Sequence, residues 1–488
     1  MGLGKTIQAS MVLRQAWLSG RARRILILAP KAVLIQWQIE LREKFNLNWP
    51  IYDGRALCWY PYPALDGRAE RQVSRGEWHR EPGVLAGSQL MRRDERRTEL
   101  LVQADPWDRI ILDEAYHARR LGGCAEERRP NQLLRLMEGH RERTQGLILL
   151  TATPMQVDPV EVWDLLHLLG LPPAWTAQDF VAFFDKLGTG PPHDDFEYLA
   201  RMFREVEGFF GETPIELARR HVPNHSKLAA KKILQALRDD ARTGRRRLDT
   251  DRRRAALKIM KANTPIARLV SRHTRELLRA YFAAGKIDAP VPRRQAEDVF
   301  IDLSAQERAL YEALETYIST TYNAAAVDQR TAIGFVMTIY RRRLASSFYA
   351  LETTLRKRLE ALRSGRPPAP FEDDDILEDE VQEEVLDAEE AAQLEEEALL
   401  REEQSEIQVL LDAVKALPAD TKVTVLVEKI RELREGGYKQ VMIFTEFTDT
   451  MDFLRKHLVK KHGMSVLCYS GRGGELPAPD GTWRVITR

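Results

Sequence analysis

The sequence predicts an α/β fold built on an open sheet of mostly parallel strands. Three short apolar runs indicate buried strands: residues 23–30 (RRILILAP), Ile110 to Leu112, and residues 146–154 (GLILLTATP). Continuous apolar runs of this length are typical of parallel strands that are covered on both faces. Helical sequence separates the runs, and polar residues follow each of them. This alternation favours an open α/β sheet with its ligand at the carboxyl ends of the strands.

The composition sets limits on the class of protein. At 488 residues the chain is long enough for about two to four domains. Its formal net charge is +1, so any preference for nucleic acid or a membrane must be regional. Cys58, Cys124 and Cys468 lie far apart, which argues against a zinc site or a disulfide framework and for a reducing compartment. The chain shows neither a signal-peptide pattern nor an apolar run near the roughly 18 residues of a membrane span, so we expect a cytoplasmic protein without membrane contact.

The first six residues, MGLGKT, match the second half of the phosphate-binding pattern G-x-x-x-x-G-K-[ST]. Gly2, Leu3 and Gly4 would form a turn whose backbone N–H groups surround phosphates, because glycine adopts the dihedral angles that such a turn needs. Lys5 would contact the β- and γ-phosphates of ATP, and the Thr6 hydroxyl would bind Mg²⁺. A G-K-T tripeptide also arises by chance, so this motif alone does not establish nucleotide binding.

Two helices and a further strand are predicted around this loop. Directly after it, apolar residues at helical spacing predict a helix that ends at Gly20. These residues are Ile7, Met11, Leu13 and Leu18. Residues 31–45 predict a second helix behind the first strand, and a weaker apolar run lies at residues 84–90. A phosphate-binding loop normally follows a buried strand, so we expect the first methionine to be an internal or mis-called start of a longer protein.

Asp113 and Glu114 directly follow the strand from Ile110 to Leu112. Nucleotide hydrolysis needs two carboxylates at such a place, one to hold Mg²⁺ and one to orient or deprotonate the attacking water. Asp113 fits the metal role and Glu114 fits the water role. Taken alone, a strand followed by Asp-Glu is more often the start of a helix, where the helix dipole favours acidic side chains.

Four motifs occur in one order along the chain, each beside a predicted strand or at its end: MGLGKTIQA, ILAPKAVLIQW, DEAY and TATP. Lys5 and Asp113 are 108 residues apart (113 − 5), and Asp113 and Thr151 are 38 apart (151 − 113), which suits one domain. This set resembles motifs I, Ia, II and III of superfamily-two helicases, and specifically of the Swi/Snf branch. The resemblance implies an ATPase with ATP and Mg²⁺ as cofactors that tracks double-stranded DNA without necessarily separating the strands.

Further runs extend the resemblance towards a second lobe. Residues 271–279 and 302–314 resemble the entry to that lobe, and residues 339–351 resemble a run in RapA-like bacterial members. A strand from Val441 to Phe444 and another at residues 465–471 resemble family motif IV and the next strand end.

The resemblance also implies contacts to the nucleic-acid backbone, at residues that follow the predicted strands. In the first lobe these residues are Lys31, Thr151 and Thr153, and in the second lobe they are Thr445 and Ser470.

The resemblance implies two RecA-like lobes with parallel sheets, both incomplete, interrupted by helical and charged insertions. Residues 1–171 would be lobe one without its leading strand, and residues 172–265 a helical and basic insertion. Residues 266–488 would be a partial lobe two with an acidic insertion at about 365–405. The family's last two motifs are not found; one couples nucleic acid to the nucleotide site, and the other brings arginines to the γ-phosphate. We therefore expect an internal portion of a larger motor that is inactive by itself; otherwise Arg472 and Arg484 would be the first arginines to mutate.

Residues 226–261 are strongly basic, with 13 Lys or Arg residues against four acidic ones. Arg245, Arg246 and Arg247 form one cluster in this segment. Such clusters neutralise phosphates, so we favour a duplex-contacting insertion over the alternative of a solvated helical face. The segment holds no aromatic residue, so base stacking is not indicated.

Residues 372–403 are strongly acidic, with 17 Asp or Glu residues and one basic residue, Arg401. The regular Ala and Leu permit an exposed helix, whereas the charge density favours disorder or a solvated insert. A role as a mimic of DNA against the basic segment is a less favoured alternative.

Motif II departs from the family pattern. Relatives usually have His at its fourth position, where this chain has Tyr116 followed by His117. Either residue could supply the contact that links the ATP state to the lobes.

The RapA-like runs suggest a bacterial protein with protein partners in transcription recycling or phage defence. Two alternatives stay open: a DNA-binding scaffold with a degenerate ATPase site, and an unrelated P-loop NTPase acting on a small molecule.

Overall fold

The structure is a computed structural model, which describes residues 4–61, 69–74, 76–121, 129–153, 155, 158–187, 192–222, 224–324, 330–364, 402–417, 420–470, 473–477 and 483–486. The chain divides into two compact units, Met1–Arg293 and Arg294–Arg488. The predicted boundary at residue 265 therefore falls inside the first unit. None of the helices in the described ranges is both long and apolar enough to cross a membrane.

The first unit contains a seven-stranded sheet. The described strands of this unit are β1 (Ile25–Ala29), β2 (Ile51–Tyr52), β3 (Ala56–Trp59), β4 (Ala69–Gln72), β5 (Gly83–Gly87), β6 (Arg109–Leu112), β7 (Arg120–Leu121), β8 (Arg129–Pro130) and β9 (Leu147–Leu149). The sheet order is β4-β3-β2-β5-β1-β6-β9, and β7 and β8 form a separate pair. The strands β2, β5, β1, β6 and β9 are parallel to their neighbours in this order. β3 and β4 extend the sheet beyond β2 as antiparallel strands. The predicted α/β class with a mostly parallel sheet is confirmed.

The central strand β1 is buried on both faces. Leu26 and Leu28 point into one hydrophobic cluster, and Ile25 and Ile27 point into another on the opposite face. This alternation follows from the two-residue period of a strand, and it explains why the sequence is apolar at every position. The three strands predicted from continuous apolar runs are confirmed as β1, β6 and β9.

Helices cover both faces of this sheet. They include α1 (Lys5–Leu18), α2 (Lys31–Phe45), α3 (Ser88–Met91), α4 (Asp94–Thr98), α5 (Gln132–Arg141) and α6 (Pro159–Leu169). The predicted helices at α1 and α2 are confirmed. However, Met11 and Leu18 are 60% and 70% exposed, so they do not belong to the buried stripe predicted for α1. Ala9, Leu13 and Ala16 form that stripe instead, because they are the residues that repeat at the spacing of one helix face.

The rest of the first unit is helical. Its helices are α7 (Ala177–Leu187), α8 (His193–Phe210), α9 (Ile215–His221), α10 (Lys227–Arg238), α11 (Arg242–Arg246), α12 (Thr250–Ala262), α13 (Pro265–Leu269) and α14 (Arg275–Ala283). Together with the outer side of α6, most of these helices enclose a hydrophobic cluster of their own, which includes Trp175, Phe196 and Phe203. The basic segment 226–261 thus folds as three helices with an apolar interior.

One residue of the basic cluster is part of that interior. The Arg245 side chain is 1% exposed and forms an ion pair with Glu197, with Nη2 2.7 Å from Oε2. It also donates to the carbonyl oxygens of Ala236 and Asp239. The prediction that Arg245 contacts DNA is therefore wrong, because its charge is used inside the helical cluster. Arg246 and Arg247 are exposed.

The second unit contains the remaining described elements. They are α15 (Ala305–Ala324), α16 (Arg330–Ser346), α17 (Phe348–Ser364), α18 (Glu402–Lys415), α19 (Thr421–Glu435), α20 (Thr448–His462), β10 (Cys468–Ser470), β11 (Gly473–Pro477) and β12 (Trp483–Ile486). The helices α15 to α18 share one hydrophobic cluster. The strands β10, β11 and β12 form an antiparallel sheet.

The second unit departs from the parallel sheet predicted for it. The run from Val441 to Phe444 forms no strand and pairs with none of the described strands, and Met442 and Phe444 are strongly exposed. The strand predicted at residues 465–471 is present as β10, in an antiparallel pair with β11. An apolar run specifies a strand only where a neighbouring strand accepts its backbone hydrogen bonds. Residues 365–401, which hold most of the predicted acidic insertion, and Arg472 lie outside the described residues.

Arg245 provides a test of the helical cluster. We expect Arg245→Ala to lower the free energy of unfolding by about 3–5 kcal/mol, because it leaves the carboxylate of Glu197 buried without its partner. Arg247→Ala is the matched control; Arg247 is exposed, so we expect a change within about 0.5 kcal/mol. Urea unfolding measures both. Equal stability of the two variants would contradict the structural role of Arg245.

Candidate functional site

Polar residues from three neighbouring strands meet at one edge of the seven-stranded sheet. Lys31 follows β1, Asp113 follows β6 and Thr151 follows β9. The strands β1, β6 and β9 are adjacent and parallel, so their carboxyl ends lie side by side. Backbone hydrogen bonds continue the ladder past the strand ends, from Asp113 N–H to Leu28 O and from Ala115 N–H to Leu150 O, both 2.8 Å. The loop after β6 is therefore held from both sides.

The N-terminus of α1 lies at the end of the predicted phosphate loop. Gly4 has φ +75°, a left-handed conformation that favours glycine, and it precedes the first helical residue, Lys5. Among the described residues no side chain caps this end, and the first turn holds no acidic residue. The backbone N–H groups and the positive end of the helix dipole are thus suited to an anion such as phosphate. Gly2 and Leu3, which were predicted to complete the loop, lie outside the described residues.

Lys5 and Glu114 form the contact that joins the phosphate loop to the acidic pair. Lys5 Nζ donates to Glu114 Oε1 at 3.2 Å, and both side chains are 30% exposed. An ion pair this accessible to water contributes only about 0–1 kcal/mol. A phosphate could therefore replace the carboxylate as the partner of Lys5 at little energetic cost.

The backbone turns sharply at Glu114. Its φ and ψ are 49° and 52°, a left-handed conformation that costs a non-glycine residue roughly 1–2 kcal/mol. Asn46, which follows α2, is the other described non-glycine residue with positive φ. The turn separates the two carboxylates: Asp113 is buried, whereas Glu114 is partly exposed beside Lys5. Such strain at a loop of two acidic residues supports a functional role for the turn.

Two N–H groups hold the carboxylate of Asp113. Oδ1 accepts from the backbone N–H of Glu114 at 2.9 Å, and Oδ2 accepts from Trp37 Nε1 at 2.8 Å. Each carboxylate oxygen has a second lone pair, so the group can still bind a cation. A carboxylate with the hydroxyl of Thr6 offers hard oxygen donors, and these fit Mg²⁺, which takes one or two protein ligands together with substrate phosphates.

The contact of Trp37 was not predicted from the sequence. The sequence predicts only that Trp37 lies on the helix over residues 31–45. The signal available was the pair Trp37–Gln38, because both residues carry polar atoms into the buried stripe of α2. Which residues those polar atoms contact depends on the order of the strands in the sheet, and the sequence alone does not show that order.

The segments after β6 and β9 carry the other residues predicted near the nucleotide. Thr153 N–H donates to Thr151 Oγ1 at 3.1 Å, which closes a short polar turn. The rings of Tyr116 and His117 pack against each other, with centroids 4.1 Å apart. Asn131 donates to the carbonyl oxygen of His117 at 2.7 Å. Tyr116 and His117 thus lie together beside the acidic pair, and the structure favours neither as the substitute for the usual histidine.

Two ion pairs connect the chain after motif II to α6, which follows motif III. Arg119 lies 3.7 Å from Glu161, and Arg120 lies 2.9 Å from Asp164. Burial raises the pKa of Asp164 to about 6, although the Arg120 guanidinium opposes this shift. The two ion pairs thus connect the chain that follows motif II with the helix that follows motif III.

The predicted DNA-contacting residues lie in several places. Lys31 is exposed at the first turn of α2. Arg246 and Arg247 belong to the helical cluster of the first unit. In the second unit, Thr445 Oγ1 lies 3.5 Å from Ser346 Oγ, and Ser470 ends β10. Among the described residues, the contacts bring together Lys5, Asp113 and Glu114, with Thr151 and Thr153 on the adjoining strand end.

Comparison with known proteins identifies a family. The profile of the SNF2-related domain matches residues 1–358. The RNA polymerase-associated protein RapA of Vibrio vulnificus (strain YJ016) is 35% identical over 169 residues, which are 35% of this chain and 16% of that protein. RapA of Yersinia enterocolitica serotype O:8 / biotype 1B is also 35% identical over 169 residues, with the same shares. The chain thus spans 16% of the length of these relatives.

Two solved structures also align with this chain. The Sulfolobus solfataricus SWI2/SNF2 ATPase core in complex with dsDNA aligns with a TM-score of 0.29 and 16% identity, covering 75% of this chain and 59% of that one. The Sulfolobus solfataricus SWI2/SNF2 ATPase core domain aligns with a TM-score of 0.27 and 16% identity, covering 75% and 53%.

The Arg120–Asp164 pair predicts a pH dependence. Because the pKa of Asp164 is raised to about 6, the folded protein binds this proton more tightly than the unfolded chain does. The stability that comes from the protonated Asp164 side chain is therefore fully present below about pH 4, and it is lost as the pH rises through about 6. Relative to wild type, Asp164→Asn should gain on the order of 2–3 kcal/mol in the free energy of unfolding between about pH 4 and pH 8. Urea unfolding at each pH measures this; a constant difference would contradict the shift.

Proposed function

Because the chain belongs to the SNF2-related domain family and has RapA-like relatives, we propose that it is the ATP-hydrolysing part of a Swi/Snf-type motor that moves on double-stranded DNA. The observation that carries this proposal is the Lys5–Glu114 contact at the carboxyl ends of the parallel strands. It brings the phosphate loop and the acidic pair to one point, as phosphoryl transfer to water requires.

ATP binding would use the N-terminus of α1 and the side chains of its first two residues, Lys5 and Thr6. The N–H groups after Gly4 would bind phosphate oxygens, and Lys5 would turn from Glu114 to the β- and γ-phosphates. Thr6 and Asp113 would hold Mg²⁺, which neutralises phosphate charge when it is bound. The weak, partly exposed pair of Lys5 with Glu114 makes this exchange inexpensive.

Glu114 would act on water. Once Lys5 faces the phosphates, the carboxylate of Glu114 is free to orient the attacking water or to accept its proton. Its partial exposure gives water access, in contrast to the buried Asp113. The left-handed backbone at Glu114 supports this division of roles, because it points the two neighbouring carboxylates in different directions.

Contacts with the DNA backbone would come from exposed polar and basic residues. Lys31, Thr151 and Thr153 lie at the same sheet edge as the nucleotide site, so DNA bound there could influence the acidic pair directly. Thr445 and Ser470 would contribute from the second unit. Arg246 and Arg247 would add phosphate contacts from the helical cluster. Arg245 is excluded from this set by its burial.

The setting of the motor is part of the proposal. Its relatives are named as associated with RNA polymerase, so a transcription complex is the partner that we favour. A phage-defence complex in a bacterial cytoplasm is the other setting.

The competing function is a DNA-binding scaffold without hydrolysis, which Tyr116 at the usual histidine position would suit. DNA-stimulated ATP hydrolysis by the full-length protein separates the motor from the scaffold. An NTPase acting on a small molecule would hydrolyse ATP regardless of DNA.

Substitutions of Lys5 and Glu114 should have opposite effects on nucleotide binding. We expect Lys5→Ala to weaken ATP binding and to abolish turnover, because it removes the charge that contacts the phosphates. Glu114→Gln should lower turnover by roughly 10²–10⁴-fold while binding ATP at least as tightly as wild type, because Lys5 loses its competing partner. Fluorescent-nucleotide titration and ATP turnover with duplex DNA measure the two effects.

Lys44→Ala serves as the control for Lys5→Ala. Lys44 is an exposed lysine that pairs with Glu40 at 3.7 Å near the far end of α2, so its removal should change neither quantity. If Glu114→Gln hydrolysed ATP at the wild-type rate with DNA present, the role of Glu114 would be wrong.

The double variant Arg246→Ala/Arg247→Ala should weaken DNA binding uniformly across sequences. The slope of log affinity against log salt should shrink by about 0.9 for each DNA phosphate that the variant no longer neutralises. Arg21→Ala/Arg23→Ala removes two exposed charges near the start of β1, at the opposite edge of the sheet, and should leave the slope unchanged. Fluorescence anisotropy with labelled duplexes at several salt concentrations measures the slope. Identical slopes for both double variants would favour a solvated helical face.

A further inference from the structure

Trp37 makes a hydrogen bond that a core residue does not need for packing. Its indole lies in the hydrophobic cluster between α2 and the sheet and is almost fully buried. The one polar atom of the side chain, Nε1, reaches Asp113 Oδ2 at 2.8 Å, across 76 residues of sequence. The acceptor is the carboxylate assigned above to the metal ion.

The neighbouring residue fixes the direction in which Trp37 points. Gln38 is fully buried, and its amide donates to the carbonyl oxygens of Trp49 and Cys58, both at 2.9 Å. Its side-chain oxygen accepts from the N–H of Tyr60 at 2.9 Å. These three hydrogen bonds attach α2 to the chain around β3, on the face of the helix next to Trp37. The indole N–H is therefore aimed at Asp113 by bonds that do not involve the site itself.

The two donors around Asp113 determine the plane of its carboxylate. The terminal torsion of an aspartate is broad, so a carboxylate with one partner can turn freely. Here Glu114 N–H holds Oδ1 and Trp37 N–H holds Oδ2, which together leave a single orientation. The remaining lone pairs then face away from the two donors, and they are the ones available to a cation.

We propose that Trp37 is a positioning residue for the metal-binding carboxylate of Asp113. Its N–H fixes the orientation of Asp113 before Mg²⁺ and nucleotide arrive, which raises the affinity for the metal and the turnover that depends on it. This inference rests on the proposed function, because it takes Asp113 as the metal ligand. Trp37 touches neither substrate nor metal; it acts only through Asp113.

The same chain offers a matched internal comparison. Trp78 is fully buried, and its Nε1 donates to Glu99 Oε2 at 3.1 Å. Glu99 also pairs with Arg96, at 2.8 Å, so this carboxylate is neutralised by a structural partner. Both tryptophans thus donate to a buried carboxylate in the first unit, but only Trp37 donates to one at the edge where the phosphate loop lies.

The test compares Trp37→Phe with Trp78→Phe in the full-length protein. Affinity for Mn²⁺ in the presence of ADP, measured by electron paramagnetic resonance, is the readout that does not depend on turnover. We expect Trp37→Phe to weaken Mn²⁺ binding about 10-fold and to raise the Mg²⁺ concentration for half-maximal ATP turnover by a similar factor. Trp78→Phe should leave both quantities unchanged, although either variant can lower the melting temperature by creating a cavity.

A second substitution separates removal of the N–H group from a change in packing. 3-Benzothienylalanine, inserted at position 37 by amber suppression, keeps the bicyclic shape and replaces the N–H with sulfur. It should weaken Mn²⁺ binding as Trp37→Phe does. If Trp37→Phe fails to fold, this residue alone tests whether the indole N–H is needed for metal affinity. Wild-type Mn²⁺ affinity with this residue would overturn the inference.

Asp113→Asn distinguishes failure of this inference from failure of the proposed function. If Asp113→Asn strongly weakens Mn²⁺ binding while the changes at position 37 do not, Asp113 is the metal ligand and Trp37 is only a core residue. If Asp113→Asn leaves Mn²⁺ binding unchanged, the assignment of the metal site fails, and the role of Trp37 fails with it.

Discussion

The parallel ladder at the centre of the sheet is the constraint on which the candidate site depends. β1 lies between β5 and β6, and β6 lies between β1 and β9, all in the same direction. A shift of the register of β1 by one residue would move its two sets of side chains into each other's cluster, so the packing on both faces opposes it. The register of β1 and β6 in turn places Asp113 beside the end of β1, where its N–H donates to Leu28 O. The geometry of the acidic pair is thus a consequence of hydrophobic packing within the sheet.

Burial decides which charged residues are available for chemistry. Arg245 and Arg247 are two positions apart in one basic run, and their residue type is the same. Arg245 is desolvated among helices, where only an ion pair and carbonyl acceptors make its charge tolerable, whereas Arg247 remains in water. Asp113 is an intermediate case, since it is buried but its two partners are neutral N–H groups. Neither of these two donors carries a positive charge that would compete with a metal ion for the carboxylate, as an arginine partner would.

Much of the first sheet could be predicted from the sequence, because its strands are apolar at every position and end in polar residues. Those two features are local. The failures are all cases in which the decisive partner is distant in sequence. Met11 and Leu18 have the right size and a plausible spacing, but the sheet contacts another face of α1. The run from Val441 to Phe444 has the composition of a strand without a described neighbour to pair with. The role of Trp37 depends on the adjacency of β1 and β6, which no pattern within α2 reveals.

The energetics at Glu114 show what keeps the site in order. Its left-handed backbone costs roughly 1–2 kcal/mol, whereas its exposed ion pair with Lys5 contributes about 0–1 kcal/mol. The ion pair is therefore too weak to hold Glu114 in this conformation. The backbone hydrogen bonds on either side, from Asp113 to Leu28 and from Ala115 to Leu150, are what hold it. Because these bonds belong to the ladder of the sheet, we expect Glu114 to keep its conformation if Lys5 turns to a phosphate, as proposed. The carboxylate proposed to act on water is thus positioned by the fold and not by the lysine that it must release.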